Sequence, residues 1–290
     1  MKNFFKSFGK ATIYFLVYFV TQLVVSFVYG AVWSASKTAE LMAAGETVDA
    51  VALTEQLAAQ IMEKAMEMTF WAGIIALIIY WIRFAVRKKS FFKEVQIKKI
   101  ATNGILPIVV TALSMNVVVS VVISNLPWPQ EWIDAYATNS APLDGSLMSW
   151  LAAVVMAPVL EEIVFRGLVY TRLKKGMPVI VAAILASFVF GLCHGTAIWI
   201  IYATGLGLVM TWVFEKYQSL TASILFHFSF NTMGLILNMI PESVAFVLWI
   251  LLAVSVVGLV YGVKQMKKAV VVVESPAVEE LEEIQEEICE

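Results

Sequence analysis

The sequence predicts an all-α protein, a polytopic bundle of about eight transmembrane helices. Apolar residues make up 60% of the 290 residues, charged residues make up only 14%, and the mean hydropathy is +0.83. A soluble domain of this size needs more charge on its surface. The apolar runs are long and continuous, which favours helices over a barrel of alternating strands of about ten residues.

The predicted spans follow one another along the chain. They are expected at 11–33, 69–85, 105–126 and 147–170, then as two spans within 178–214 that separate near Gly195, then at 220–239 and 244–263. Each approaches the roughly 20 apolar residues that a helix needs to cross the hydrocarbon core. The first run is longer than a signal-peptide core of about 7–15 residues, so we interpret it as a retained span.

The charges between the spans predict the orientation of the protein. Lysines and arginines cluster after the second, fourth and eighth spans, whereas the loops at 34–67 and 127–145 are mostly acidic. Because lysine and arginine mark the cytoplasmic side, we expect a multi-pass protein of the cell membrane with both termini in the cytoplasm. The segment 274–290 holds eight glutamates and no lysine or arginine, and we interpret it as a solvated cytoplasmic tail.

The fourth predicted span carries three charged side chains, Glu161, Glu162 and Arg166. Each charge at mid-membrane costs roughly 2.5–3.5 kcal/mol on insertion scales, so each needs compensation. Arg166 follows Glu162 by four residues, which predicts a structural ion pair on one helix face. Glu161 is rotated by about 100° from Glu162, which leaves it to face a polar cavity as a candidate general base. Pro158, one turn earlier, removes a helix hydrogen bond and frees backbone to line that cavity.

The chain contains two histidines, His194 and His227, and both lie in apolar spans. Asn231 follows His227 by four residues, so the two side chains share one helix face. Taken alone, either histidine is typical of an interior side chain whose ring nitrogens have hydrogen-bond partners. Polar side chains are costly in lipid, so several of them together within the membrane indicate a functional site. We therefore expect Glu161, His194, His227 and Asn231 to form one polar site.

This set of residues is suited to the hydrolysis of an amide. Glu161 would take a proton from water, His194 would help to hold that water, and His227 and Asn231 would donate hydrogen bonds to the oxyanion. The alternative is a zinc site with Glu161, His194 and His227 as ligands and one open position. The His-Glu-x-x-His pattern of zinc proteases is absent, which favours the metal-free interpretation slightly, so we assign no cofactor and keep zinc as the alternative.

A cysteine nucleophile is a weaker interpretation. Cys193 directly precedes His194, which places the two side chains about 100° apart on a helix and makes a poor nucleophile–base pair. We interpret Cys193 as a packing residue. The sequence shows neither a Gly-x-Ser-Gly nor a Gly-x-Gly-Asp motif.

Three motifs, in this order, resemble those of the CAAX protease and bacteriocin-processing family, also called the Abi family. The family pattern is Glu-Glu-x-x-x-Arg, then Phe-x-x-x-His, then His-x-x-x-Asn or Asp. In this chain the motifs read Glu161-Glu162…Arg166, Phe190…His194 and His227…Asn231, and the resemblance covers about residues 148–231.

The resemblance implies a membrane-embedded endopeptidase in which Glu161 and His194 activate water and His227 and Asn231 bind the oxyanion. Members of the family are often described as metalloproteases, and a metal-free glutamate mechanism has also been argued. Eukaryotic members trim prenylated proteins. Others process peptides, confer bacteriocin immunity or act as non-proteolytic membrane scaffolds, which is the alternative function for this chain.

The predicted spans and the resemblance together predict a division of the chain and a set of partners. We expect N-terminal transmembrane helices and loops at 1–147, the catalytic core at 148–239, the last transmembrane helix at 240–273 and the acidic tail at 274–290. The expected partners are membrane lipid and a peptide or protein substrate, and no nucleic acid.

Overall fold

The structure, a computed structural model, describes residues 2–139, 146–241, 243 and 246–269, and over these residues it is a bundle of helices without strands. The predicted fold class is confirmed. The helices of the described part are α1 Lys2–Ala43, α2 Ala50–Glu63, α3 Ala65–Ala85, α4 Phe91–Val95, α5 Thr102–Asn125, α6 Gln130–Asn139, α7 Leu147–Leu173, α8 Val179–Leu192, α9 Ala197–Tyr217, α10 Leu220–Asn238 and α11 Phe246–Lys268. The predicted acidic tail at 274–290 lies outside the described residues.

Seven of the described helices are long and apolar enough to cross a membrane, namely α1, α3, α5, α7, α9, α10 and α11. The fifth predicted span, the first of the two within 178–214, is the shorter apolar helix α8. Its 14 residues extend about 21 Å, less than the roughly 30 Å of a hydrocarbon core. The chain is therefore a multi-pass membrane protein with seven full-length spans and one short apolar helix in the described part.

The predicted break between the fifth and sixth spans is present. Helix α8 ends at Leu192, α9 begins at Ala197, and Gly195 in the turn has a φ of +82°. Glycine takes this left-handed conformation without the steric cost that a side chain brings. His194 lies in the turn directly after α8, a helix that is too short to cross the hydrocarbon core.

Helix α7 is irregular around its charged residues. Two π-helical segments, Ala152–Met156 and Ile163–Tyr170, flank a short α-helical stretch at Ala157–Glu162. The N–H of Ala157 donates to the carbonyl of Ala152, in the π-helical register. The next bond in this register would run from residue 158 to the carbonyl of Ala153, but Pro158 has no N–H. The carbonyl of Ala153 is thus left for another donor.

The core of the bundle surrounds α7. Leu160, Val164, Phe165 and Leu168 are buried on it, and α7 packs against α1, α3, α8 and α10. Helix α11 lies at the edge and packs on α5. There, glycines of α11 four residues apart face hydroxyl side chains of α5, so the two backbones approach closely; the pairs are Gly258 with Ser114 and Gly262 with Thr111.

A short connection ties α7 and α10 together at the end of the bundle that carries most of the lysines and arginines. Arg172 of α7 donates to the carboxylate of Glu94 on α4 at 2.5 Å. The loop after α4 accepts two hydrogen bonds from the start of α10, Leu220 N–H to the carbonyl of Gln96 at 2.8 Å and Ser219 Oγ to the carbonyl of Lys98 at 2.5 Å. Helix α4 therefore bridges the two helices that carry most of the candidate site.

Candidate active site

The ion pair of the candidate site lies within α7. Arg166 Nη1 donates to Glu162 Oε1 at 2.8 Å, and both side chains are completely or almost completely buried. Arg166 Nη2 donates to the carbonyl of Gly207 on α9 at 2.9 Å, and the guanidinium lies 4.6 Å from the centroid of the Phe190 ring. The arginine thus joins α7 to α8 and α9 while it compensates the charge of Glu162.

Glu162 has two more partners, both on α10. Ser223 Oγ donates to Oε2, and His227 Nδ1 lies 3.0 Å from Oε1. Sequence analysis gave Glu162 only Arg166 as a partner and assigned no role to Ser223. Ser223 and His227 are one helical turn apart, so the sequence predicts that they share a face of α10, but not that this face meets Glu162. The carboxylate therefore fixes His227 as well as the arginine.

These contacts determine which nitrogen of His227 carries a proton. A carboxylate paired with Arg166 accepts hydrogen bonds and donates none, so His227 Nδ1 must be the donor to Glu162. In a neutral ring, Nε2 then holds a lone pair, and it donates only when the ring is an imidazolium. His227 Nε2 lies 3.8 Å from Glu161 Oε2. The imidazole consequently stands between the two neighbouring glutamates.

Glu161 has a less crowded environment than Glu162. Its side chain is 16% exposed, whereas that of Glu162 is 0% exposed. Its carboxylate lies within electrostatic range of Tyr18, Cys193 and Tyr202. Glu161 is therefore partly open and has polar side chains nearby, so a small molecule such as water can approach it.

Asn231 holds α10 against α7. Its Nδ2 donates to the carbonyl of Ala153 at 3.0 Å, the carbonyl that Pro158 leaves without an intrahelical donor. The amide nitrogen carries two hydrogens, so one N–H remains for a second acceptor. The structure thus gives Asn231 a packing contact that sequence analysis did not anticipate, and it leaves a donor for a substrate.

His194 packs against an aromatic ring, Phe190, that also contacts His227. Its Nδ1 is 2.9 Å from the carbonyl of Phe190, and its ring centroid is 4.8 Å from that of Phe190 and 5.9 Å from that of Trp199. The Phe190 and His227 rings are 6.1 Å apart. Within the described residues, no hydrogen bond or ion pair joins His194 to Glu161 directly.

The residues named as alternative zinc ligands do not converge as a ligand set. Among the described residues, no group of three or more histidine, cysteine, aspartate or glutamate side chains has an arrangement that could hold a metal ion. Glu161 and His227 face each other, whereas no hydrogen bond or ion pair within the described residues joins His194 to either of them. No step of the chemistry proposed below passes through a metal.

The fold is that of a multi-pass helical membrane protein, and Glu161, Glu162 and His227 lie together inside it. Residues 143–233 match the family model described as type II CAAX prenyl endopeptidase Rce1-like. The resemblance seen in the three motifs is confirmed over this segment, which contains every candidate site residue.

A curated protein matches part of the chain. The chain is 23% identical over 91 residues to the protein named "Putative membrane peptidase YdiL" of Bacillus subtilis (strain 168). The aligned region is 31% of this chain and 37% of that relative, so the chain covers little more than a third of the relative's length. No solved structure matches the chain.

Proposed function

We propose that the protein is an intramembrane endopeptidase that cleaves a peptide bond of a membrane-associated protein or peptide. The observation that carries the proposal is the placement of Glu161, partly open, 3.8 Å from an imidazole whose other nitrogen is bound to Glu162. Amide hydrolysis needs a general base to activate water, and a carboxylate beside a positioned imidazole can act as one. The match of 143–233 to a membrane endopeptidase family supports it.

In the proposed reaction, Glu161 takes a proton from water as the water oxygen attacks the carbonyl carbon of the substrate. The tetrahedral oxyanion that forms would be bound by Nε2–H of His227 as an imidazolium and by the second N–H of Asn231. When the C–N bond breaks, Glu161 returns its proton to the leaving amine. The products are a carboxylic acid and an amine, and the glutamate is regenerated.

Within this proposal Glu162 positions His227. Its hydrogen bond to Nδ1 orients the ring so that Nε2 faces Glu161, and Arg166 and Ser223 hold the carboxylate in place. His194 would help to hold the water, as the family resemblance implies.

A second candidate function is a non-proteolytic membrane scaffold or bacteriocin-immunity protein. One observation favours it: the hydrogen bonds that the structure shows for Glu162 and Asn231 all have partners within the protein. Ser223, His227 and Asn231 hold α10 to α7, and Arg166 pairs with Glu162 within α7. A polar cluster of this kind can serve helix packing alone.

The test compares purified full-length wild type with Glu161→Ala in detergent. The probe is a mixture of membrane-spanning and prenylated CAAX peptides, and new N-termini are identified by mass spectrometry. Glu131→Ala, which removes a glutamate from helix α6 outside the cluster, is the matched control. The proposal expects cleavage by wild type and by the control and none by Glu161→Ala. Equal cleavage by all three proteins would assign the activity to a contaminant, and folded wild type without cleavage of any probe would favour the scaffold.

A further inference from the structure

A tyrosine of the first helix, Tyr18, lies close to the candidate active site although it belongs to none of the three motifs. Helix α1 packs against α7. The ring of Tyr14 lies 5.2 Å from the guanidinium carbon of Arg172. One turn later on α1, the ring of Tyr18 lies beside that of Phe165, with centroids 5.8 Å apart. The two helices are therefore antiparallel here, and because Phe165 follows Glu161 by one turn, Tyr18 lies near the level of Glu161.

The hydroxyl of Tyr18 is near the carboxylate of Glu161 without touching it. The two groups lie within electrostatic range of each other, but no hydrogen bond joins them in the part of the chain that the structure describes. Tyr202 on α9 lies within the same range, but it also interacts with Tyr136 of α6. Two polar groups that are too far apart for a direct hydrogen bond can be joined by a water molecule between them.

The Tyr18 hydroxyl has no hydrogen-bond partner among the described residues, although the residue is only 9% exposed. A buried tyrosine hydroxyl usually has such a partner. Tyr80, which packs against the same helix, has one, since its hydroxyl donates to the carbonyl of Tyr14 at 2.7 Å. The contact with Phe165 fixes the ring of Tyr18, so its hydroxyl is held close to Glu161 as a donor for a partner from outside the chain.

We propose that Tyr18 is a further catalytic residue, whose hydroxyl holds the water that Glu161 activates. This role rests on the function proposed above. The phenol O–H donates to the water oxygen, and the water donates one hydrogen to the carboxylate of Glu161. A water oxygen has two lone pairs, so one accepts from Tyr18 while the other attacks the carbonyl carbon of the substrate. Tyr18 keeps its proton throughout, and its contribution is the orientation of the nucleophile.

The test uses full-length protein purified in detergent. The values of kcat and KM are measured with the peptide that wild type cleaves, and the unfolding temperature is measured on the same preparations. Tyr18→Phe removes the hydroxyl and keeps the ring against Phe165. Tyr14→Phe makes the same change one turn earlier on α1 and is the matched control for activity. Tyr80→Phe, which loses its bond to a backbone carbonyl, is the reference for a structural hydroxyl.

We expect Tyr18→Phe to lower kcat about tenfold, the scale of one hydrogen bond, with KM unchanged because the hydroxyl contacts the water and not the peptide. Its unfolding temperature should equal or exceed that of wild type, because the change removes a buried polar group that has no partner among the described residues. Tyr14→Phe should keep the kcat of wild type. Tyr80→Phe should unfold at a lower temperature than wild type.

Four outcomes would overturn this role. A wild-type kcat in Tyr18→Phe, with Glu161→Ala inactive, would remove Tyr18 from the site and leave the proposed function intact. An unfolding temperature lowered as far as in Tyr80→Phe would make the Tyr18 hydroxyl structural. An equal loss of kcat in Tyr14→Phe would attribute the effect to α1 as a whole. Cleavage of no probe by folded wild type would overturn the proposed function and the role of Tyr18 with it.

Discussion

Two adjacent glutamates of α7 have opposite environments. Glu162 is completely buried and accepts hydrogen bonds from Arg166, Ser223 and His227, whereas Glu161 is partly open and faces the free nitrogen of His227. A one-residue step along the helix turns the side chain by about 100°, which is enough to separate a fully hydrogen-bonded carboxylate from a partly open one. The different environments of Glu161 and Glu162 therefore follow from helix geometry, and mutation of each residue tests their consequences.

The first prediction separates these glutamates. Glu161→Gln should abolish hydrolysis and leave the unfolding temperature in detergent close to that of wild type. Glu162→Gln should lower both activity and stability, because it leaves Arg166 as an unpaired buried charge, a change that costs roughly 3–5 kcal/mol in soluble proteins. Thermal unfolding and peptide cleavage are measured on the same preparations. Full turnover by Glu161→Gln would contradict the assignment.

The second prediction concerns Asn231. Asn231→Ala should reduce turnover by about 10²–10³, the usual loss of one oxyanion donor. It should also destabilise the protein by about 1–3 kcal/mol, because the carbonyl of Ala153 loses its donor. Pro158→Ala restores a backbone N–H that can reach this carbonyl. In the double variant, stability should recover and turnover should not. Recovery of both would make Asn231 a packing residue only.

The third prediction concerns metal. Zinc prefers thiolate, imidazole and carboxylate ligands, so the neutral amide of Asn231 suits a donor role better than a ligand role. We expect purified protein to cleave peptide without stoichiometric zinc. Metal content is measured by mass spectrometry before and after exhaustive chelation. One tightly bound zinc per chain, with activity lost on removal and restored on its return, would make Glu161, His194 and His227 the ligands.

At the scale of the helices, hydropathy predicted the spans better than the helix ends. The first span was expected at 11–33, but α1 extends over Lys2–Ala43. Hydropathy identifies the part of a helix that sits in hydrocarbon, and polar residues on either side continue the same helix in water or headgroups. The break near Gly195 was predictable because a run of apolar residues too long for one span, with a glycine inside it, favours a turn.

The irregular form of α7 was not predictable in the same way. Pro158 indicated a disturbed helix, but neither π-helical segment has a composition that distinguishes it from α-helix. A π-helical turn forms when neighbouring helices supply partners for the displaced backbone groups, as Asn231 does for Ala153. Such a partner becomes visible only when α7 and α10 are packed together, which is also why the contact of Ser223 with Glu162 escaped sequence analysis.

At the scale of the whole molecule, the remaining sequence prediction is the orientation. Lysines and arginines cluster at one end of the spans, which predicts that this end and both termini are cytoplasmic. Reporter fusions at Gly145 and Glu242 should therefore report the outer side, and a fusion at Gly176 should report the inner side. The positions 145 and 242 lie outside the described residues, so the fusions test them independently. A cytoplasmic reporter at Gly145 would contradict the orientation.

The pairing of Glu162 with Arg166 inside one helix has a consequence for the biogenesis of the protein. His227 follows Glu162 by 65 residues, so at about 5–20 residues per second a ribosome completes it roughly 3–13 seconds later. Helix α7 is made, and meets the bilayer, before α10 exists. An acid and a base four residues apart neutralise each other without help, so Glu162 and Arg166 are electrically compensated in the nascent helix during that interval. Ser223 and His227 later form hydrogen bonds to a carboxylate whose charge Arg166 has already compensated. The candidate active site is therefore completed only after α10 has been made.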